Sequence, residues 1–257
     1  MVGGGPSNDG VVFVIDTAGS GYDTVMTFNG VSGLGAYGSL VRAGNILYGM
    51  TPGGGVNNAG NIFSVHTDGT AYKNMYQFSN VSTPNGSLTL AGGLLYGMTQ
   101  FGGTNGYGNI FSIDTDGNGY ADLFDFNDSL GAYPLGDLTI AGNLMYGMTS
   151  SGGASHFGNV FSIDTSGHVF TVILSFNGAN GEDPQGDLIL SGNLLYGMAY
   201  AGGTDSAGVI FKVDTTPPTA INAVTPNTWG INLYPNPNYG QFTLAFNNPL
   251  RFWKASQ

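Results

Sequence analysis

A four-residue phrase recurs four times along this sequence at an almost constant spacing. It is Leu-Tyr-Gly-Met in three copies and Met-Tyr-Gly-Met in one, and its tyrosines are Tyr48, Tyr96, Tyr146 and Tyr196. The steps between these tyrosines are 48, 50 and 50 residues. A period near 50 residues with strand-like content is typical of repeat arrays such as β-propellers. The repeat therefore restricts the fold more than any single motif does.

Each repeat contains four short apolar runs separated by glycine-rich turns. The first run is typified by Leu88-Thr89-Leu90, the second is the recurring phrase, and the third is the most regular, as from Ile110 to Thr115. The fourth run ends in a phenylalanine, which follows the phenylalanine of the third run by 15 residues in all four copies. Apolar residues alternate or form runs, and glycine interrupts about every 10 residues, which disfavours helices.

These features predict an all-β fold, a β-propeller of four-stranded antiparallel blades. Five copies of the third run and four of each other run give about 17 strands, which is four blades and a remainder. Tyr48, Phe63, Phe78 and their copies are predicted to form the core between blades. A solenoid is the alternative architecture, although its repeats are usually shorter. The predicted repeat region is 1–215, a partial blade followed by units that begin near residues 38, 86, 136 and 186.

The chain begins inside a repeat. Gly3 to Phe13 aligns with Gly53 to Phe63, and Met1 is not followed by the basic and apolar segments of a signal peptide. We therefore expect an incomplete fragment of a longer protein, with any export signal upstream.

Charge and composition restrict the partners. The chain has 16 acidic and 5 basic residues, for a net charge of −11. Phosphate binding needs clustered Lys and Arg, so we expect no nucleic-acid partner. No apolar run approaches the roughly 18–20 residues that cross a bilayer, so we expect no transmembrane segment. The absence of cysteine excludes disulfides and thiolate metal sites.

The composition changes after Thr215. Residues 216–229 are rich in Pro and Thr and are predicted to form an extended linker. Residues 230–257 then contain a predicted strand from Ile231, a Pro-Asn-Pro turn with Gly240, and a second alternating strand. We therefore predict a short β tail after the repeats.

Two resemblances follow from these motifs. Leu-Tyr-Gly-Met-Thr, a Gly-Gly pair soon after it, Gly-Asn-Ile-Phe-Ser-Ile-Asp-Thr-Asp-Gly from Gly108, and a closing Phe-Asn resemble the GloVer (Gloeobacter/Verrucomicrobia) tandem repeat over roughly residues 3–215. That resemblance implies a secreted or surface-anchored bacterial protein and brings no catalytic residues.

The tail resembles a second family. Tyr234-Pro235-Asn236-Pro237, a later Gly and an alternating strand resemble the opening of the type IX secretion C-terminal sorting domain of Bacteroidota. The resemblance implies the type IX secretion machinery as a partner and a secreted or outer-membrane-surface location for the parent protein. The family domain is more than twice as long as residues 230–257, so we expect a truncated copy, and export of this chain stays open.

One hairpin carries a pattern of oxygen ligands. The segment from Asp114 to Asp122 fits D-x-D-x-N-G-x-x-D, in which alternate oxygens around a glycine turn can wrap Ca²⁺. The predicted ligands would be Asp114, Asp116, Asn118 and Asp122, with Ca²⁺ as the cofactor. A metal-free β-turn is the alternative, and the copies at Asp16, His66 and Asp164 favour it because they lack the carboxylate set.

Catalytic constellations are weak. The three histidines have no partners at ligand spacing, and Glu182-Asp183 is a single acidic pair in one loop, whereas a glycosidase needs two carboxylates across a cleft. The acids placed to converge in a central channel are limited to Asp137 and Asp187, near the starts of first-run strands. An enzyme is therefore less favoured than a non-catalytic protein.

The loops after the second run and those that join the fourth run to the next first run vary most. They are predicted to emerge at the same end of each blade, where recognition usually occurs. The predicted ligand-binding residues are Tyr37, Phe101, Tyr107, Tyr133, His156, Phe157, Tyr200 and Asp205. Packing of these loops on neighbouring blades is the alternative. The preferred function is binding or adhesion to a glycan or a surface protein; the alternatives are an extracellular polysaccharide-acting enzyme and a purely structural surface array.

Overall fold

The computed structural model describes residues 4–79, 82–216, 231–235 and 242–246. These residues form 19 β-strands and no helix, which confirms the all-β prediction. Accordingly, no helix in this part of the chain is long and apolar enough to span a membrane. The chain divides into two units, Met1–Asp214 and Thr215–Gln257.

The first unit contains five antiparallel sheets, which we call blades 1 to 5. Blade 1 has β1 (Val11–Val14) and β2 (Asp23–Thr27). Blade 2 has β3 (Val41–Ala43), β4 (Ile46–Thr51), β5 (Asn61–His66) and β6 (Lys73–Gln77). Blade 3 has β7 (Thr89–Ala91), β8 (Leu94–Thr99), β9 (Asn109–Asp114) and β10 (Ala121–Asp125). Blade 4 has β11 (Thr139–Ala141), β12 (Leu144–Thr149), β13 (Asn159–Asp164) and β14 (Phe170–Ser175). Blade 5 has β15 (Ile189–Ser191), β16 (Leu194–Ala199) and β17 (Val209–Asp214).

The 17 strands of the first unit match the predicted number, and the complete blades have the predicted four strands. Blade 1 contains only the third and fourth runs, and blade 5 contains only the first three. In the described residues the array is open, since the sheets do not close into a ring.

Each blade joins its neighbour through an apolar interface. We call the side of a blade that packs on the next blade its forward face, and the opposite side its rear face. Tyr48, Met50 and Ile62 on the forward face of blade 2 pack with Phe111 and Ile113 on the rear face of blade 3. The same pattern recurs between blades 1 and 2, 3 and 4, and 4 and 5. The predicted core residues are accordingly buried, with exposures of 2%, 0% and 3% for Tyr48, Phe63 and Phe78.

The glycine inside the recurring phrase admits an aromatic ring. In blade 3, Gly97 pairs with Phe111 across the β8–β9 ladder. A Cβ on Gly97 would lie 2.6 Å from Cζ of the Phe111 ring. A side chain at this position would therefore displace a fully buried phenylalanine.

In the second unit, β18 (Ile231–Pro235) pairs antiparallel with β19 (Phe242–Phe246). These are the two strands predicted for the tail. Most of the predicted linker at 216–229 and most of the predicted sorting domain at 230–257 lie outside the described residues.

Candidate functional site

Two kinds of loop lie side by side at one end of the blades. The loop from each fourth strand to the next blade pairs with the loop after the second strand of that next blade, through the isolated bridges Leu34–Gly53, Ala132–Ser151 and Glu182–Ala201. We call this end the loop face, made of residues 29–40, 52–60, 82–88, 100–108, 126–138, 150–158, 176–188 and 200–208. The structure therefore places both variable loops at one end, as the strand order predicts.

A buried Thr–Asn pair anchors the loop face to the blade. In blade 2 the Thr51 hydroxyl donates to Oδ1 of Asn61 over 2.6 Å, and both residues are fully buried. Nδ2 of Asn61 donates to the Ser32 carbonyl over 3.0 Å, and in blade 4 Asn159 donates to the Leu130 carbonyl over 3.1 Å. These bonds hold the incoming loop on the blade and satisfy the buried side-chain N–H groups of Asn61 and Asn159, whereas Oδ1 of Asn159 has no hydrogen-bond partner.

At one position of the loop face, the backbone conformation is the same in successive repeats while the side chain differs. It is left-handed in four successive loops, with φ of 68°, 48°, 57° and 52° at Gly35, Thr83, Tyr133 and Asp183. Three of the carbonyls accept a neighbouring N–H, as from Ser150 to Tyr133 over 3.2 Å. A non-glycine residue there costs on the order of 1 kcal/mol. The repeat thus tolerates local strain while presenting a different side chain from each blade.

Three of the predicted binding residues form an aromatic cluster. The ring centroids of Phe101 and Tyr133 are 5.3 Å apart, and those of Tyr107 and Tyr133 are 5.6 Å apart. All three side chains are half-buried. They therefore pack on one another, and ligand binding by these residues stays a prediction.

A fourth predicted residue, Tyr37, lines an open cavity. The cavity has a volume of about 570 Å³. Its apolar and backbone walls come from Leu34, Gly35, Pro52 and Gly53. One repeat before the aromatic cluster, Gly53 stands at the position of Phe101 and Thr83 at the position of Tyr133. The cavity therefore lacks both of these rings.

The polar wall of the cavity consists of side chains that the sequence analysis missed: Asn8, Thr83, Asn85 and Gln100. Nδ2 of Asn85 donates to Oε1 of Gln100 over 2.7 Å. All the lining residues are uncharged. The sequence signal for this site would have been the loss of aromatic residues from one pair of loops, rather than their presence.

The other predicted residues lie elsewhere on the loop face. Nδ1 of His156 is 3.3 Å from a carboxylate oxygen of Asp128 at an exposed site. Phe157 packs against the core between blades 4 and 5. Tyr200 is 73% exposed, and Asp205 lies in an exposed turn. The eight predicted residues therefore do not form one site.

The predicted calcium ligands are engaged in a turn. Asp116 accepts the backbone N–H and Nδ2 of Asn118, each over 2.9 Å, and these bonds lower the pKa of the Asp116 carboxyl. Burial raises the pKa of Asp122, which interacts with Asn109 and Asp125 on the strands rather than with the turn. In the described part of the chain, no group of three or more His, Asp or Glu side chains is placed to hold a metal.

The same turn forms in copies without the acidic set. Oδ1 of Asp164 accepts the N–H groups of His168 and Val169 over 2.8 and 2.6 Å. An Asp accepts such bonds in each of the four turns: it is the first residue in the turns of Asp16 and Asp164, and the third in the turns that contain Asp68 and Asp116. Such turns form without a cation. Calcium binding at Asp114, Asp116, Asn118 and Asp122 stays a prediction.

Asp137 and Asp187, the two acids considered for catalysis, have a structural role. Oδ1 of Asp137 accepts the backbone N–H of Ser87, and Oδ1 of Asp187 accepts that of Asp137 over 2.7 Å. Ser87 likewise accepts the N–H of Ser39 over 2.7 Å. These side chains therefore form a ladder that links the first strands of successive blades. Burial raises the pKa of Asp137, and the charge of Asp187 adds to this.

Comparisons with solved structures place the fold. The chain is similar to a chain of the crystal structure of the nidogen/laminin complex, with a TM-score of 0.54 at 13% identity over 81% of this chain and 73% of that one. It also matches putative TolB from Agrobacterium tumefaciens, with a TM-score of 0.48 at 12% identity over 80% and 66% of the two chains. The first likeness shows a β-propeller-like fold.

The sequence comparisons identify a family. No curated protein matches the chain. The sequence profile described as the Gloeobacter/Verrucomicrobia repeat matches residues 1–141 and 79–229, which confirms the resemblance found in the recurring phrase. Most of the sequence is thus covered, and the chain belongs to the Gloeobacter/Verrucomicrobia repeat family.

Proposed function

We propose that this repeat protein is a non-catalytic binding module whose loop-face cavity binds a neutral oligosaccharide. The observation that carries the proposal is the lining of the cavity. It combines the exposed ring of Tyr37 with the amides of Asn8, Asn85 and Gln100, and the lining residues carry no formal charge. Its volume of about 570 Å³ lies within the range of small-ligand sites.

The chemistry of the cavity fits sugar hydroxyls. Each amide side chain offers both donors and acceptors, as a hydroxyl does. The phenol ring of Tyr37 provides an apolar surface with a polar end, on which the C–H face of a sugar ring can lie. The lining residues offer no cation for an anionic ligand, so a neutral glycan is favoured over an acidic one.

A polysaccharide-cleaving enzyme is less well supported. Glycosidases need two carboxylates that face a substrate. Asp137 and Asp187 instead accept backbone N–H groups from neighbouring blades. The geometry therefore favours binding over cleavage.

Titration calorimetry and a panel of neutral glycans test the site. We expect Tyr37→Ala and Gln100→Ala to weaken binding of the recognised glycan about 10-fold or more, as for a central contact in a small interface. The matched control is Tyr200→Ala, because Tyr200 is a 73% exposed tyrosine of the loop face that does not line this cavity. Equal affinities of the Tyr37 and Tyr200 variants, or no glycan binding, would contradict the proposal.

We also propose that the parent protein is secreted or held at the outer-membrane surface through the type IX machinery. The Tyr-Pro-Asn-Pro phrase from Tyr234 and the β18–β19 hairpin that contains its first residues support this. Expression of the full chain behind an added signal peptide in a type IX-secreting bacterium checks it. We expect passage across the outer membrane to require the tail phrase, so retention in the periplasm with the phrase intact would contradict the proposal.

A further inference from the structure

Six asparagines of this chain are each followed by a glycine. They are Asn29, Asn85, Asn105, Asn118, Asn177 and Asn180. Glycine has no side chain to hinder its own amide nitrogen, so that nitrogen can attack the side-chain carbon Cγ of the preceding asparagine. The attack requires that the glycine N–H is not held elsewhere and that the backbone of the pair can rotate. The fold therefore decides which of the six pairs can react.

Four of the six glycines have an N–H group that already donates a backbone hydrogen bond. The acceptors are carbonyls of the same loops, at N···O distances of 3.0 to 3.4 Å: Gly33 for Gly30, Gly103 for Gly106, Gly181 for Gly178 and Gly178 for Gly181. The asparagine side chains of these pairs are bonded as well, as where Nδ2 of Asn105 donates to the Phe126 carbonyl over 2.9 Å. Each of these pairs must break a hydrogen bond before the nitrogen can attack.

The pair at Asn85 is held by packing instead. Nδ2 of Asn85 donates to Oε1 of Gln100 over 2.7 Å. The Gly86 backbone lies against the segment that leads into blade 4, where a Cβ would be 2.5 Å from the Gly136 carbonyl oxygen. These contacts fix the backbone that would have to rotate.

The pair at Asn118 lacks both restraints. It lies in the turn between β9 and β10, and both Asn118 and Gly119 are exposed. Within the described residues, the N–H of Gly119 donates no hydrogen bond. The corresponding N–H in blade 4, that of Val169, donates to Oδ1 of Asp164 over 2.6 Å. Blade 3 therefore lacks a bond that the same turn position makes in blade 4.

We propose that Asn118 is a site of spontaneous deamidation. The Gly119 nitrogen forms a bond to Cγ of Asn118, the Cγ–Nδ2 bond breaks, and ammonia leaves with the proton of the Gly119 N–H. Water then opens the resulting cyclic imide at either carbonyl and gives aspartate or isoaspartate. The chain gains one water and loses one ammonia, with no change of oxidation state.

The product has a different turn. Nδ2 of Asn118 donates to Oδ2 of Asp116 over 2.9 Å, whereas a carboxylate at position 118 would meet that oxygen with the same charge. The turn contacts the preceding blade, because Nζ of Lys73 donates to the Asp116 carbonyl. The modification thus places a new negative charge where blades 2 and 3 meet, and it does not depend on the loop-face cavity.

Peptide mapping by mass spectrometry tests the site in the full chain after incubation in mildly alkaline buffer. We expect Asn118 to convert at least about 10-fold faster than each of the other five, because those pairs must first break a hydrogen bond or a packing contact. Labelling with a protein isoaspartyl methyltransferase should mark the same peptide. In concentrated urea the restraints of the fold are absent, so the six pairs should convert at similar rates.

Two variants separate this site from the others. Asn118→Gln keeps the amide but lengthens the side chain, which disfavours the cyclic imide, so the first acidic species on ion exchange should disappear. Asn105→Gln is the matched control, because Asn105 is also an exposed asparagine before a glycine in a turn of blade 3. It should leave that species unchanged.

Three results would overturn the proposal. The first is conversion of another asparagine before Asn118 in the folded chain. The second is a first acidic species that Asn118→Gln leaves in place. The third is an equal preference for Asn118 in urea, since neighbouring residues rather than the fold would then set the rate.

Discussion

Asp137 shows how one acidic side chain can serve packing rather than catalysis. Its Oδ1 accepts the backbone N–H of Ser87 in the preceding blade. Burial raises its pKa above the ordinary value of 3.8. The folded chain therefore binds this proton more tightly than the unfolded chain does. Folding is favoured by this group below pH 3.8, and the benefit is lost as the pH rises through the raised pKa.

Two substitutions of Asp137 should therefore have opposite effects on stability. Asp137→Asn keeps the acceptor and removes the charge, so we expect a gain of roughly 0.5–1 kcal/mol in unfolding free energy at pH 7. That gain should shrink as the pH falls toward the ordinary carboxyl pKa. Asp137→Ala removes the acceptor and should cost about 1–2 kcal/mol. Urea unfolding at pH 3.5 and pH 7 measures both, and a destabilising Asp137→Asn at pH 7 would contradict the assignment.

The hairpin that contains Asp116 leads to a second prediction about individual residues, on the effect of calcium. The Asp116 carboxylate is already engaged by Asn118, and Asp122 interacts with other partners on the strands. We therefore expect calcium to leave the melting temperature unchanged. A rise with calcium that Asp116→Ala abolishes would instead support the sequence-based prediction of a calcium loop.

At the scale of the strand, the recurring phrase couples a glycine to an aromatic ring. A Cβ on Gly97 would lie 2.6 Å from the Phe111 ring, so we expect Gly97→Ala to destabilise the fold by about 1–3 kcal/mol. In Phe111→Leu the ring is absent, and adding Gly97→Ala should then cost less. A double-mutant cycle by thermal or urea unfolding measures this difference. Additive effects of the two changes would show that the ring is not the cause.

The buried Thr–Asn pair is absent from one blade, where apolar residues replace both partners of the hydrogen bond. Blades 2 to 4 contain a buried Thr and Asn at these positions, such as Thr99 and Asn109, whereas blade 5 has Ala199 and Val209. Replacing both partners with apolar groups leaves no buried polar group without a hydrogen bond. Blade 5 therefore keeps the strand geometry without the bond.

Across the whole molecule, the protection of a blade's amides from hydrogen exchange should increase with the area that neighbouring blades bury. Val160 in blade 4 is fully buried, whereas its copy Ile210 in blade 5 is 82% exposed. Blades with neighbours on both sides should therefore open less often than blade 5. We expect amide hydrogens of β9 and β13 to exchange at least about 10-fold more slowly than those of β17 in dilute protein. Equal exchange rates in hydrogen-exchange mass spectrometry would indicate a single cooperative unit.

Much of the fold was predictable because the repeat is periodic. The recurring tyrosines and phenylalanines predicted the strand number, the core and the positions of the loops, and the structure confirms that Tyr48, Phe63 and Phe78 are buried. The site was less predictable. The sequence predicted Phe101, Tyr107 and Tyr133 as ligand contacts, but it did not indicate that their rings pack on one another. The cavity beside Tyr37 is lined by residues from separate loops.

The order and spacing of the strands follow from the sequence alone, because alternating apolar runs and glycine turns act over a few residues. The tertiary structure decided which loop residues meet, since Gly35, Gly53 and Gln100 are distant along the chain and line one cavity. It also showed that Asp137 and Asp187 accept backbone hydrogen bonds between blades. The exposed faces of blades 1 and 5 are likewise visible only in the tertiary structure. These features depend on how neighbouring blades pack, which is a property of contacts between repeats rather than of any one repeat.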